Sequence, residues 1–272
     1  MSNKISSLIL AAFVLCCLTD VAQGCTCVSG SVRCAVSQGE TAVFVGVVTS
    51  VTIDEVETLI GEKKYSHQYR VAQFTIEESL RGSDQKSVAV ATGMGGGDCG
   101  YGFKTGERYL VYGNWNKVPT TAGEMPITVL SSGLAVTAPL TTSICSRTRP
   151  LADATDDIEL IRAANAGKPE KRIFGRVLEY ARDAGSSAAY ARGMTGITVK
   201  ADNENHHYVV TTDGNGRYQF RDIESGIYTI TVLLPDTHET INGPRGRTLK
   251  SNLFNTCGEE VNFYAIKRGT PL

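Results

Sequence analysis

Cysteine placement constrains this chain more than any other feature. Of eight cysteines in 272 residues, Cys16 and Cys17 lie inside Leu8–Leu18, an almost wholly apolar run preceded by Lys4 and followed by Ala22-Gln23-Gly24. A positive start, a short apolar run and a small-x-small site form the pattern of a cleavable signal peptide over residues 1–24. The run is too short to cross a bilayer, which takes about 20 apolar residues, and no later segment of the sequence is apolar enough. Cleavage leaves six cysteines, at 25, 27, 34, 99, 145 and 257, and makes Cys25 the mature N-terminus. An even count in an exported chain reads as disulfides, and spacing alone does not choose among their pairings. The expected location is secreted or extracellular. The alternatives are a buried N-terminal helix, a periplasmic protein, or a lipoprotein acylated at Cys25, for which Ala22 and Gln23 are poor lipobox residues.

A net charge of −1 leaves no electrostatic footprint for nucleic acid. The length suits two modest domains. Residues 40–49 are rich in β-branched residues, and Tyr69–Ile76 alternates with period two across an intervening polar stretch. The pair reads as a long antiparallel hairpin. Ser87–Thr92, Tyr109–Tyr112 and Ile127–Leu130 are further strands, and Gly93–Gly102 is a glycine-rich turn carrying Cys99. Short strands with glycine punctuation indicate a small barrel or sandwich. After Cys145, Asp153 is placed to cap a helix whose apolar stripe is Ile158, Leu160, Ile161 and Ala164, ending near Gly167 with Pro169 beyond. Residues 166–171 read as a linker. From 172 to 272 the pattern returns to strands: Ile173–Val177, Ile197–Ala201, Tyr208–Thr212, Arg217–Phe220, Ile227–Leu233 and Val261–Ile266. Asp213-Gly214-Asn215-Gly216 reads as a hairpin turn between the third and fourth of these, and the set suits an antiparallel β-sandwich. The fold class is therefore all-β with one or two short helices.

Cys25-Thr26-Cys27-Val28 at a mature N-terminus resembles the tissue inhibitors of metalloproteinases. Cys99-Gly100-Tyr101, followed by Glu107-Arg108-Tyr109-Leu110-Val111-Tyr112-Gly113, resembles the stretch around that family's cysteine that pairs with the N-terminal one, and Cys145 sits similarly just before a helix. The resemblance covers residues 25–165 and implies a netrin-type, OB-like β-barrel. Residues 172–272 resemble a carboxypeptidase-regulatory or prealbumin-like module, through Gly196-Ile197-Thr198-Val199, Thr212–Phe220 and Ser225–Ile230. The family's cysteine-dense second half is missing. The resemblance implies the disulfides Cys25–Cys99 and Cys34–Cys145. That leaves Cys27 with Cys257 as an interdomain bridge; the alternatives are two unpaired thiols, or Cys257 bonded to another chain.

The resemblance further implies a function. The α-amine and carbonyl oxygen of Cys25 would chelate the catalytic zinc of a target metalloendopeptidase, at the position that such enzymes leave for water. The amine binds unprotonated, and its reference pKa of about 7.7–8.0 makes deprotonation cheap near neutral pH. Thr26 would enter the pocket past the scissile bond, Val28 would continue along the cleft, and Asp98 with Cys99 would form the second edge of the wedge. Asp98 departs from the small apolar residue usual there and would bring a carboxylate toward the zinc. The alternative reading is a non-inhibitory, extracellular two-domain binding or scaffold protein.

Other signals carry less. The glycine-rich stretch lacks the Gly-Lys-Ser/Thr of a phosphate loop. His206 and His207 point to opposite faces of a strand, and Asp213–Gly216 lacks the spacing and terminal Glu of a calcium loop. Asp153, Asp156, Asp157 and Glu159 read as charges favouring a helix N-terminus. No catalytic triad or dyad can be assembled, so the expectation is a non-enzyme with no cofactor of its own.

Overall fold

The computed structural model describes Cys27 and residues 31–32, 41–60, 63–115, 140–182, 189–241, 247–254 and 256–270. The expected strand at 127–130 lies outside them. The fold is all-β with a single α-helix among the described residues.

β1 (Thr41–Ile60) and β2 (Lys63–Arg81) form the long hairpin, paired from Val43↔Arg81 to Ile60↔Lys63. They run straight through the polar stretch, because each strand there satisfies its backbone on the other whatever its side chains prefer. β3 (Ser87–Thr92) adds to β2, β4 (Arg108–Trp115) pairs back onto β1, and β5 (Leu140–Thr141) lies antiparallel to β4 and parallel to β3. The order β1-β2-β3-β5-β4-β1 closes a barrel of the OB-like kind. β6 (Arg149–Pro150) extends from β4. Register shifts at Val43/Phe44, Val45/Gly46 and Val48/Ser50 bend β1 where the sheet closes on itself. Phe44, Phe74, Phe103 and Tyr109 fill the barrel edge to face, with Phe74 and Phe103 centroids 5.1 Å apart.

The barrel's outer face is also buried, which explains why β1 reads as a continuous apolar run rather than an alternation. Val43, Val45, Leu80 and Leu110 pack against α1 (Thr155–Asn165), through Ile158, Leu160 and Ile161. The helix stripe is as expected, except that Ala164 is only half-buried. Its start differs. The N-cap is Ala154 with no side-chain cap, and Asp153 ends a preceding 3₁₀ turn and accepts a hydrogen bond from Arg176 Nη2 at 2.8 Å. A tertiary partner has outcompeted the local one. The helix ends through Gly167 in the left-handed region (φ +72°), where the Lys168 N–H reaches Ala163 O at 2.9 Å.

Beyond the helix two sheets face each other. One runs β10 (His207–Thr211), β9 (Thr198–Asp202), β12 (Ile227–Leu233), β14 (Thr248–Asn252). The other runs β11 (Arg217–Phe220), β7 (Arg172–Arg182), β16 (Phe263–Lys267), β13 (His238–Thr240), with β8 (Ala189–Gly193) and β15 (Gly258–Glu260) also on β7. Val199, Tyr218, Tyr228, Ile230 and Phe263 fill the space between. Two features depart from the antiparallel hairpin plan. β15 and β16 pair parallel to β7. The Asp213–Gly216 turn forms, with Asp213 Oδ1 accepting the N–H groups of Asn215 and Arg217 at 2.9 and 2.8 Å, but β10 and β11 then enter different sheets. The turn chemistry is local, whereas the burial of Tyr218 and Phe220 between the sheets sends β11 to β7.

The helix acids hold more than a helix terminus. Asp157, 1 % exposed, accepts hydrogen bonds from Arg147 Nε (2.7 Å) and Tyr112 Oη (2.9 Å). Arg147 also reaches Glu260 of β15 at 3.1 Å, and Arg149 reaches it at 2.8 Å. Toward the sandwich, Asp156 pairs with Arg172 and Arg217, and Glu159 with Arg172 (2.9 Å) and Arg221 (3.2 Å). Arg172 is 1 % exposed and also meets Glu170.

The disulfides correct the expected pairing. Cys145 is bonded to Cys27, with Cα atoms 4.9 Å apart, so neither Cys34–Cys145 nor Cys27–Cys257 forms. The segment before Cys145 follows the end of β3, the Thr142 N–H reaching Ala91 O at 3.0 Å. This places Cys145 on the barrel rim, while Cys257 lies buried beside Val32. Cys99 and Cys257 each also take part in a disulfide; Cys25 and Cys34 lie outside the described residues.

Asp157→Ala is expected to lower unfolding free energy by about 3–5 kcal/mol, the usual cost of stranding one partner of a buried ion pair, measured by denaturant titration. Stability should also fall in acid. Burial pushes Glu260 up, but Arg149 and Arg147 bring it below the ordinary carboxylate range. A depressed carboxylate contributes stability above its unfolded pKa, about 4.3, that is lost as pH falls through the folded value. Glu260→Gln should flatten the stability-against-pH curve below about pH 4.3.

Candidate functional site

The loop after β3 is built from its backbone inward. Asp98 ends a 3₁₀ turn over Gly96–Asp98, and its carboxylate accepts three N–H groups, from Met94 (2.6 Å), Gly95 (2.7 Å) and Gly100 (3.1 Å). The Met94 bond comes first among the causes holding its carboxyl below the ordinary range; desolvation opposes it, and the bonds of Gly95 and Gly100 add to it. The glycines are structural. A Cβ on Gly100 would lie 2.0 Å from Gly93 O, and one on Gly93 would meet the Asp98 carboxyl at 2.5–2.7 Å. Cys99 sits in the left-handed region (φ 57°), rare for a non-glycine residue. Tyr101 N–H closes the loop onto Thr92 Oγ1 at 2.8 Å.

This loop meets the N-terminal segment at one point. Ile144 N–H donates to Cys99 O at 2.9 Å, and the next residue, Cys145, carries the disulfide to Cys27. Cys27, Asp98 and Cys99 are therefore brought to one rim. Cys25, Thr26 and Val28 lie outside the described residues. Asp98 does not project as a free carboxylate: its charge is spread over three backbone donors, and its role is to hold the loop that carries Cys99.

Sequence reading missed the residues that frame this rim. Ile144, 43 % exposed between Cys99 and Cys145, is an apolar residue at the tip. A groove of about 780 Å³ runs beside the loop, lined among others by Glu55, His67, Tyr69, Met94, Asp98 and Thr142. It forms where β2 continues past the end of β3, since β2 pairs with β3 only from Arg70 to Thr75. Strand lengths, which the sequence blurs, create it. Thr142 supports the rim from beneath, sharing hydrogen bonds with Thr148 and Ser146 at 2.9 Å each.

Among the described residues no group of three His, Cys, Asp or Glu could hold a metal ion, and no helix is long and apolar enough to cross a membrane. His206 stacks on Tyr208 and His207 reaches Asp202, so the neighbouring histidines serve different contacts.

No protein-family description matches the sequence, and no curated protein matches it. Among solved structures, the chain is similar to GBS52, the minor pilin of Streptococcus agalactiae, at 9 % identity over 87 % of each chain with a TM-score of 0.29. It is also similar to the Bacillus anthracis TIE protein, at 12 % identity over 83 % of this chain and 34 % of that one, with a TM-score of 0.24.

Asp98→Ala should cost about 0.5–2 kcal/mol, as loss of a capping side chain does. Hydrogen exchange at the Met94, Gly95 and Gly100 amides should accelerate while the β1–β4 amides stay protected. Uniform acceleration would show that the carboxylate does not act locally.

Proposed function

We propose that the mature protein is an exported metalloendopeptidase inhibitor that presents the α-amine and carbonyl oxygen of Cys25 to the catalytic zinc of a target protease. The observation that carries the reading is the convergence at Cys145. The residue two positions after the proposed chelator is tied to the rim by the Cys27–Cys145 disulfide, and the Cys99 loop is hydrogen-bonded to the residue next to it. A chelating terminus must be held still, because freedom lost on binding subtracts from affinity. A disulfide two residues from the end, on a rim shared with a loop held by Asp98, supplies that restraint. Thr26 and Val28 would lie along the protease cleft, and Ile144 would add apolar contact where the two edges meet.

The zinc belongs to the partner; the inhibitor contributes ligands alone. Chelation requires the amine to lose its proton, so binding should weaken as pH falls below about 7.7. The protein would work outside the cell, where its disulfides persist.

The test is a single-residue extension. The mature protein, its N-terminus confirmed by intact mass, is titrated against a panel of zinc endopeptidases beside a version with one Ala added before Cys25. The extended form should lose at least about a hundredfold in inhibition, since it acylates the amine and displaces the chelate. Equal inhibition by both forms would refute chelation. Failure of both, with a partner still captured by the extended form, would favour the two-domain binding protein.

A further inference from the structure

Val32, five positions beyond Cys27, pairs with no described barrel strand, although its side chain packs beside Val43, Val45 and Leu110 on the barrel's outer face. It is fully buried and bridges to Gly258, the first residue of β15. Val32 N–H donates to Gly258 O at 2.7 Å, and Val32 O accepts from the N–H groups of Cys257 (3.0 Å) and Gly258 (3.2 Å). Both polar backbone groups of one residue are thus satisfied by the sandwich. The receiving segment is itself clamped. Cys257 O accepts the Arg172 N–H at 2.8 Å, β15 pairs with β7, and Glu260 holds Arg147 and Arg149 of the barrel side.

Gly258 permits the seat. A Cβ there would lie 2.3 Å from Leu160 Cδ1, 3.2 Å from the Phe174 ring and 3.4 Å from Val32 Cβ. Helix, sandwich and N-terminal segment close on this one position, and only hydrogen fits without displacement. The N-terminal segment is therefore fixed at two points: Cys27 on the barrel rim, and Val32, whose side chain packs between the helix and the barrel's outer face while its backbone is held by the sandwich. The chain between them can span at most about 18 Å, which bounds how far one anchor can lie from the other.

We propose that the sandwich is the second anchor of the N-terminal segment, and that Gly258, with Val32 seated on it, is a positioning residue that sets the pose of Cys27. This gives the second domain a role that does not require it to touch a partner. The consequence for inhibition rests on the chelation reading above; the anchoring itself does not.

The test uses the full mature chain. Gly258→Val adds branched bulk against Leu160 and Val32, Gly258→Ala is the milder form, and Val32→Ala loosens the same seat from the other side. Ile230→Val, within the sandwich core, serves as the stability control. Hydrogen exchange should accelerate about tenfold or more at the amides of both Val32 and Cys27 in the Gly258 and Val32 variants, in line with the usual cost of overpacking or of a core cavity. It should stay unchanged there in Ile230→Val. Inhibition of a zinc endopeptidase that the parent blocks should weaken in the same order as the Cys27 exchange. If Val32 exchange rises and Cys27 exchange does not, the disulfide alone holds the terminus and the proposal fails, whatever the inhibition assay reads. If both rise and inhibition is unmoved, the anchor stands as structure but not as a determinant of pose, and the positioning role is refuted. A parent that inhibits nothing removes the chelation reading while the exchange result still decides the anchor.

Discussion

Arg147 and Asp157 face each other with almost no solvent access; Tyr112 donates to Asp157, and Glu260 pairs with both Arg147 and Arg149. A buried ion pair adds little net stability over an apolar replacement, but a broken one leaves a charge without water or partner. The pair therefore acts mainly as a constraint on geometry. Arg147 precedes the helix, Asp157 lies on it, and Glu260 comes from the sandwich, so all three must arrive together. Around this centre the helix places apolar residues against the barrel and carboxylates against the sandwich arginines. Two β-units that could have been beads on a string are joined through one short helix.

That joint gives the rim its setting. The Cys99 loop is held from within by Asp98, the Ile144–Cys145 segment by the Thr142 hydroxyl network, and the N-terminal segment by Cys145 on one side and Gly258 on the other. Each restraint is modest or local, but the Cys99 loop, the Ile144–Cys145 segment and Cys27 are in direct contact, and residues in contact are energetically coupled. Under the proposed inhibitory reading, such prior ordering would favour binding, because less freedom is lost on contact.

Much of the fold was legible because it is written in local chemistry. β-branched alternation marked β2, the glycine after α1 marked its end, and Asp213–Gly216 announced a turn. The misreadings arose where distant residues compete for a group. Asp153 has the chemistry of a cap, but Arg176 takes its carboxylate. Asp98 looked like a charge aimed outward, but three amides of its own loop turn it inward. The Asp213–Gly216 turn forms, yet its flanking strands part, because the apolar residues of β11 are buried between the sheets. Cysteine pairing was least legible of all: Cys27 and Cys145 are 118 residues apart, and spacing holds no information about which rim each reaches.

The sequence by itself determined the all-β class, the long hairpin, the apolar stripe of the helix and the cysteine inventory. These follow from periodicity, turn chemistry and counting, which need no knowledge of the rest of the chain. Tertiary structure alone decided that Cys145 takes Cys27, that Val32 is held by the sandwich, and that the helix acids join two units instead of capping one helix. Those outcomes depend on which surfaces meet. A buried charge or an unsatisfied backbone group is settled by whatever partner packing brings within a few ångströms, and nothing in its own neighbourhood of sequence identifies that partner.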